Sequence, residues 1–412
     1  MTRAVAYGWI IFALNFGLLI SDYMARQVLN AVFPLLKAEW TLSDTKLGVL
    51  SGIVAVLVGV LTFPLSLLAD RWGRVRSLFV MATLWSAATL FCAAAASYEH
   101  MLIGRAMVGL GEAAYGSVGA AVVISVFPAR MRATLSSAFQ AGGLVGQILG
   151  VAVGAQIAAD HGWRAAFAAI GLFGLCLALV YPLIVKERKI AALSGCAAHT
   201  KDAKPAIPSL RCLFSSNSLR LAYVGSGLQL FAAAALPAWL PSYFNRYYHL
   251  PVGQAGQLAA VFLATCASGL VLCGMVTDRA ARNRPDRKIA LAVSYSLITA
   301  VALAVAFHMP SGLGQLIVLG IAMFFVAGTS GPAGAMVANL TPVALHSSAF
   351  ATWTLANNLL GLAPGPILTG RAADSMGLLG AFQLLPIPCV LAAAAFALAR
   401  RSYLSDLEQR PT

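Results

Sequence analysis

A chain of 412 residues that is 60% hydrophobic and only 10% charged, with a mean hydropathy of +0.82, lies outside the range of soluble globular domains. Its net charge of +14 raises nucleic acid as a partner, but no aromatic-interleaved basic patch accompanies that charge, so a nucleic-acid binder is excluded. Seven cysteines, an odd number without paired loop spacing, speak against a disulfide framework or a metal site.

Twelve apolar runs follow one another at 8–35, 46–69, 77–97, 101–127, 133–159, 165–185, 221–245, 253–277, 288–308, 313–340, 347–370 and 377–399. Each approaches the roughly 20 residues that a helix needs to cross about 30 Å of hydrocarbon. They are too long and too evenly apolar for the alternating strands of a barrel. The fold class expected is therefore an all-α integral membrane protein with twelve transmembrane helices. The first run is too long for a signal peptide and carries Asp22 and Arg26 in its second half. Four apart on a helix, these two share a face and can pair. A charge at the bilayer centre costs about 2.5–3.5 kcal/mol on insertion scales, so either a structural ion pair or a water-filled face must compensate.

After the second run comes "LLADRWGRVR", with Asp70, Arg71, Gly73, Arg74 and Arg76; Gly73 permits a tight turn. The fourth run holds Arg105 near one end and Glu112 near its middle, seven residues apart and nearly on one face, with Tyr115 one turn further on. Glu112 has no Lys or Arg three or four residues away, so any cationic partner must come from another helix. Arg105 can belong to a cavity or proton path, or snorkel to the interface. In the fifth run Gly142, Gly146, Gly150 and Gly154 recur every fourth residue and permit close helix packing.

Residues 186–220 are polar, basic and bear Ser and Pro, which reads as a linker between two halves. The organisation expected is an N-terminal bundle at 1–185, the linker at 186–220, a C-terminal bundle at 221–400 and a tail at 401–412. The halves resemble each other: "LLADRWGR" at 67–74 matches "MVTDRAAR" at 275–282, aligning Asp70 with Asp278 and Arg71 with Arg279. A duplicated unit of this kind is a transporter architecture with its solute site near midplane. Assigning the termini, the even-numbered junctions and the linker to one side collects 21 of the 28 Lys and Arg there, which places both termini in the cytoplasm. The second half has no charge deep in a run. It offers Gln229, Trp239, Trp353, Asn357 and Asn358 as solute contacts, each alternatively a packing residue, and prolines 237, 241, 332, 364 and 366 as kink sites.

The turn pattern Gly-x-x-x-Asp-Arg-x-Gly-x-Arg-Arg, present as "SLLADRWGRVR" with Ser66 at the first position, resembles the signature of the major facilitator superfamily. "DYMARQVL", "GLGEA", "FPARMRAT" and "HGWRAAF" together resemble its spinster-like branch, with organic-anion/proton symporters close behind. That resemblance implies two pseudo-symmetric six-helix bundles working by alternating access. It implies a cavity faced by Arg26 and Glu112, and gating turns at Asp70, Arg71, Gly73 and Arg74 and at Asp278 and Arg279. The branch carries an acid where this chain has Ala25, and an Asn where it has Asp22; proton coupling would then rest mainly on Glu112, with Asp22 either balancing Arg26 or taking over the missing acid's part. The usual antiporter Gly-Pro of the fifth helix is absent from "VGQILG". The reading is thus a proton-coupled secondary transporter of the inner membrane, not an enzyme. It would be monomeric, without cofactor or metal, and move an organic anion or a lipid-like amphiphile through the lipid bilayer. The alternatives are a carboxylate or sugar-acid symporter, and a non-transporting sensor or scaffold on the same fold.

Overall fold

The computed structural model describes residues 3–127, 129–187, 190, 213–214, 216–282, 286–342 and 345–408; the side chains of residues 70, 129, 130, 132, 133, 347, 404 and 408 and those before Tyr7 lie outside the description. Most of the 186–220 linker falls outside it too. The described residues form helices α1 (Arg3–Ala31), α2 (Phe33–Trp40), α3 (Asp44–Trp72), α4 (Arg74–Ala93), α5 (Tyr98–Glu112), α6 (Tyr115–Val126), α7 (Ala129–His161) and α8 (Trp163–Ile184). The second half supplies α9 (Asn217–Tyr247), α10 (Val252–Ala280), α11 (Arg287–Ala306), α12 (Leu313–Val326), α13 (Ser330–Leu340), α14 (His346–Asn357), α15 (Pro364–Gln383) and α16 (Pro386–Glu408). All twelve apolar runs lie in these helices.

Ten helices or joined helices among the described residues are long and apolar enough to span a membrane, and the rest, Ser348–Gln383 with Pro386–Tyr403, qualify as a pair bent by 52°. Gly377, at φ +76° inside α15, divides that stretch between the eleventh and twelfth runs. Of the four extra helices, three arise because spans are interrupted, and the fourth, α2, follows the first span after Val32. The fourth breaks at Ala113–Ala114 beside Glu112, and the tenth breaks between α12 and α13 at Ala327–Thr329, just before Pro332. The eleventh holds a π turn, Asn358–Leu362, closed by the Ala363 N–H donating to the Asn358 carbonyl at 2.9 Å. Pro364 and Pro366 follow it and have no N–H for the preceding turn, which favours the widened register there.

The glycine row of α7 meets α1. A β-carbon at Gly146 would strike the Ile20 carbonyl and the Tyr23 side chain, one at Gly150 the backbone of Met24, and one at Gly154 the side chain of Val28. Small residues let the two backbones approach, and they fix the face of α1 that carries Asp22 and Arg26. Gly150→Ala should therefore lower the melting temperature of detergent-solubilised protein by overpacking worth about 1–3 kcal/mol. Gly274→Ala, where an added β-carbon meets nothing within 4 Å, should leave it unchanged.

Two compact units emerge, one of residues 1–41, 60–204 and 250–260, the other of 42–59, 205–249 and 261–412. These depart from the halves at 1–185 and 221–400 by exchanging one short piece each. Within the second unit the exchange of 42–59 has a packing cause. Gly48, Gly52 and Gly59 lie against Pro366, Ala363 with Ile367, and Asn358, where side chains would collide with backbone or Cβ atoms. The start of α3 is also tied by charge: Arg246 donates to both oxygens of buried Asp44 at 2.7 and 2.8 Å, and Asp374 accepts from the N–H groups of Asp44 and Thr45 at 2.6 and 2.9 Å. Beyond the first span, Glu39 pairs with Arg164 at 2.8 Å and accepts from the Trp163 indole at 2.6 Å. The hydrogen bonds from Arg164 and then Trp163 hold its carboxyl below the ordinary range. The five described cysteines are free, four of them buried or half-buried.

Candidate functional site: a buried carboxyl–arginine cluster

In the first unit α1 presents Asn15, Asp22 and Arg26 on one face, at spacings of seven and four. The Arg26 guanidinium reaches across to α5, where Nε and Nη2 both donate to Oε2 of Glu112, at 3.0 and 2.6 Å. The partner that Glu112 lacked on its own helix is thus Arg26. Among the described residues Nη1 of Arg26 has no acceptor, and the side chain keeps 23% of its surface open while that of Glu112 is fully covered. The Arg26 guanidinium carbon also lies over the Tyr23 ring, 5.4 Å from its centroid.

Asp22, on the same face of α1 and buried, interacts electrostatically with Glu112 and Arg26. Oδ1 of Asp22 and Oε1 of Glu112 are both buried and receive no donor. Glu112 ends α5 at the break of the fourth span, so its carboxyl stands where the helical ladder is interrupted. The break is supported from α3, whose Thr62 hydroxyl donates to the Ala113 carbonyl at 2.7 Å. Ala25, at the position where the spinster-like pattern has an acid, is buried, and its carbonyl accepts from Arg105.

Arg105 is wholly buried rather than snorkelling. Its Nη1 and Nη2 donate to the carbonyls of Ala25 and Arg26 at 2.9 and 3.2 Å, so it pins α1 at the residue that binds Glu112. Tyr115 is fully buried, its hydroxyl donating to the Asn15 carbonyl at 2.9 Å and its ring edge-on to Trp85 at 4.8 Å. It braces α1 from behind. Asn15, Tyr181, Trp85 and Tyr23 complete this shell and were not picked out from the sequence. The i, i+7, i+11 spacing of Asn15, Asp22 and Arg26 was the signal available for the first.

The remaining predicted solute contacts belong to the second unit. Gln229 donates to the Val326 carbonyl at 3.1 Å, Trp239 to the Pro366 carbonyl at 3.1 Å, Trp353 to the Ser226 hydroxyl at 3.0 Å and Asn358 to the Thr354 carbonyl at 2.9 Å. Both tryptophans spend their indole N–H groups within the protein. The amide oxygens of Gln229, Asn357 and Asn358, by contrast, are buried and receive no donor.

At the predicted gating turns Gly73 adopts φ +94°, which an L side chain rarely takes, and Arg74 opens α4. The first N–H groups of α4 are met by a residue not singled out from the sequence. Glu187 accepts from the Arg74 and Val75 N–H groups at 3.0 and 2.9 Å, an acid at the positive end of a helix. Asp70's side chain lies outside the description, and among the described residues Arg71, Arg74, Asp278 and Arg279 make no ion pair. The charge network that the resemblance implies is therefore not displayed at these four. Asp286, after the second turn, pairs with Arg400 at 3.6 Å instead.

A multi-span helical protein with broken spans and a buried, partly satisfied charge cluster defines a membrane transporter. Residues 16–331 match the profile of the Major Facilitator Superfamily, and the chain belongs to that family. The chain is 26% identical over 398 residues to a probable L-galactonate transporter of Escherichia coli, covering 92% of this chain and 85% of that protein. It is 25% identical over 385 residues to the sphingosine-1-phosphate transporter SPNS2 of Danio rerio, covering 88% and 75%. Its fold matches the crystal structure of a bacterial homologue of the human lysosomal transporter Spinster, with a TM-score of 0.85 at 20% identity, covering 98% of this chain and 99% of that one.

Proposed function

We propose that this transporter moves a hydroxylated organic acid together with a proton. The observation that carries the reading is Arg26. It holds Glu112 through two nitrogens on a single oxygen and leaves Nη1 and part of its surface open, which suits it to receive a solute carboxylate. When the solute takes the guanidinium, Glu112 loses its cation beside a second acid, Asp22, and the charge is restored by a proton held between the two carboxyls. When the solute leaves, Arg26 returns to Glu112 and the proton departs. Solute anion and proton thus cross together, and the charge of the cluster with its contents is the same in both states. The similarity to a probable L-galactonate transporter supports the same class.

The distribution of Lys and Arg supports insertion in a bacterial-type inner membrane with both termini cytoplasmic. The test is uptake into proteoliposomes under an inward proton gradient, with L-galactonate, a non-hydroxylated carboxylate of similar size and sphingosine-1-phosphate as solutes. Proton-dependent accumulation of the hydroxy acid is expected. Accumulation of the phospholipid-like amine alone would replace the organic-acid reading with the amphiphile one.

A further inference from the structure

We propose that the groove between α3 and α4 binds one anionic phospholipid, with an acyl chain in the groove and the headgroup phosphate on the arginines of the adjoining turn. The groove has a volume of about 190 Å³ and is lined chiefly by Leu65, Leu68, Trp72, Val80, Leu84 and Leu110. Its one polar lining residue, Ser77, is buried and turns its hydroxyl to the Ala69 carbonyl at 3.5 Å. Trp72, Val80 and Leu110 are 54%, 41% and 39% exposed, so the trough opens sideways rather than into the protein. Only 22% of the α3 span is buried in the protein, the smallest share of any candidate span. The occupant of an apolar trough open to a bilayer is a hydrocarbon chain.

The end of the groove selects the headgroup. Within seven residues the turn carries Asp70, Arg71, Arg74 and Arg76, and Glu187 is the other acid beside it. Both Glu187 oxygens are engaged by backbone N–H groups of Arg74 and Val75. Arg71, Arg74 and Arg76 have no ion-pair partner among the described residues, and the turn stays positive even with Asp70 and Glu187 ionised. Trp72 stands where groove and turn meet, as an indole does at the level of lipid headgroups. Clustered arginines beside an apolar intramembrane groove are suited to an anionic lipid, and the groove is what favours a lipid over a free phosphate. This inference does not depend on the transported solute.

The experiment is native mass spectrometry of the full chain, delipidated in detergent and titrated with phosphatidylglycerol or with phosphatidylcholine of the same chains. One phosphatidylglycerol per protein should be retained at least about tenfold more tightly than phosphatidylcholine, given the strength of each basic residue near an anionic surface. Val80→Trp, which fills the groove, and Arg76→Gln, which removes a charge, should each weaken that retention severalfold. Glycerol phosphate at millimolar concentration should not compete. Equal retention of the two lipids would overturn the proposal, as would full competition by glycerol phosphate, which would mark a free-phosphate site. Unchanged retention in Val80→Trp would likewise exclude the groove. Should the variants not fold, the lipid comparison on the native protein, repeated as melting temperature against each lipid, decides alone.

Discussion

Glu112→Gln should abolish proton-driven accumulation while leaving solute exchange at equal pH intact. Glutamine keeps the length of the side chain and an oxygen for the Arg26 guanidinium, but it cannot take up and release a proton. The coupling proposed above needs that cycle, because Glu112 is the group that loses its cation when the solute arrives. At zero membrane potential and one proton per solute, one pH unit supports about tenfold accumulation. The native protein should reach that ratio in proteoliposomes, and the variant should stop at equal concentrations on the two sides. Counterflow of labelled against unlabelled solute requires no net proton movement and should persist. Asp22→Asn should retain coupled uptake at a reduced rate, since the Glu112 carboxyl proposed to carry the proton is kept. If the Glu112→Gln protein accumulates solute as the native one does, the coupling site lies elsewhere, and Asp22 is the remaining buried acid of the cluster.

From residue type and helical spacing, Asp22 and Arg26 share a face and can pair with each other, and Glu112 needs a partner from another helix. That Arg26 and Glu112 face one cavity was implied by the family resemblance and not by spacing. The pair proved to be Arg26–Glu112, with Asp22 as the neighbouring acid rather than the primary counterion. What spacing cannot encode is the direction of side chains that bond to backbone. Arg105 looked like a cavity or interface residue, yet its guanidinium lies on the α1 carbonyls, a contact that depends on where another helix falls. Tyr115 is bound to a backbone carbonyl in the same way.

The glycine row of α7 was legible because small residues four apart on an apolar helix mean close approach, and α1 lies along that row. The breaks in the fourth and eleventh spans were partly legible. "GLAPGPILTG" announced itself through its prolines, whereas "GLGEAAYG" gave only glycines, which a helix tolerates as often as it breaks. The exchange of 42–59 into the second unit was not legible. It rests on Asp44 meeting Arg246 and Asp374, residues some 200 and 330 positions away with no shared periodicity to link them.

Arg26→Ala should both destabilise the protein and remove its affinity for an anionic solute, and a second substitution separates the two effects. Removing the guanidinium takes the donor from Oε2 of Glu112, a fully covered carboxylate that already has an unsatisfied Oε1 and Asp22 beside it. Breaking a buried pair by deleting one partner costs about 3–5 kcal/mol, because the remaining charge has neither water nor a counterion. A clear fall in melting temperature is therefore expected at neutral pH. Arg26→Ala combined with Glu112→Gln leaves no unpaired charge from the pair, so much of the stability should return. Affinity for the solute should not return, because the guanidinium that meets its carboxylate is still missing. Arg26→Lys is the intermediate case. Its ammonium can hold Oε2 of Glu112 as a point charge but cannot offer a planar second face to a carboxylate, so stability should survive better than binding. The measurement is the melting temperature of each variant with and without a saturating hydroxy acid. A double variant that regains its ligand-induced shift along with its stability would assign Arg26 a structural role only, and the anion would then have to be received by another cation.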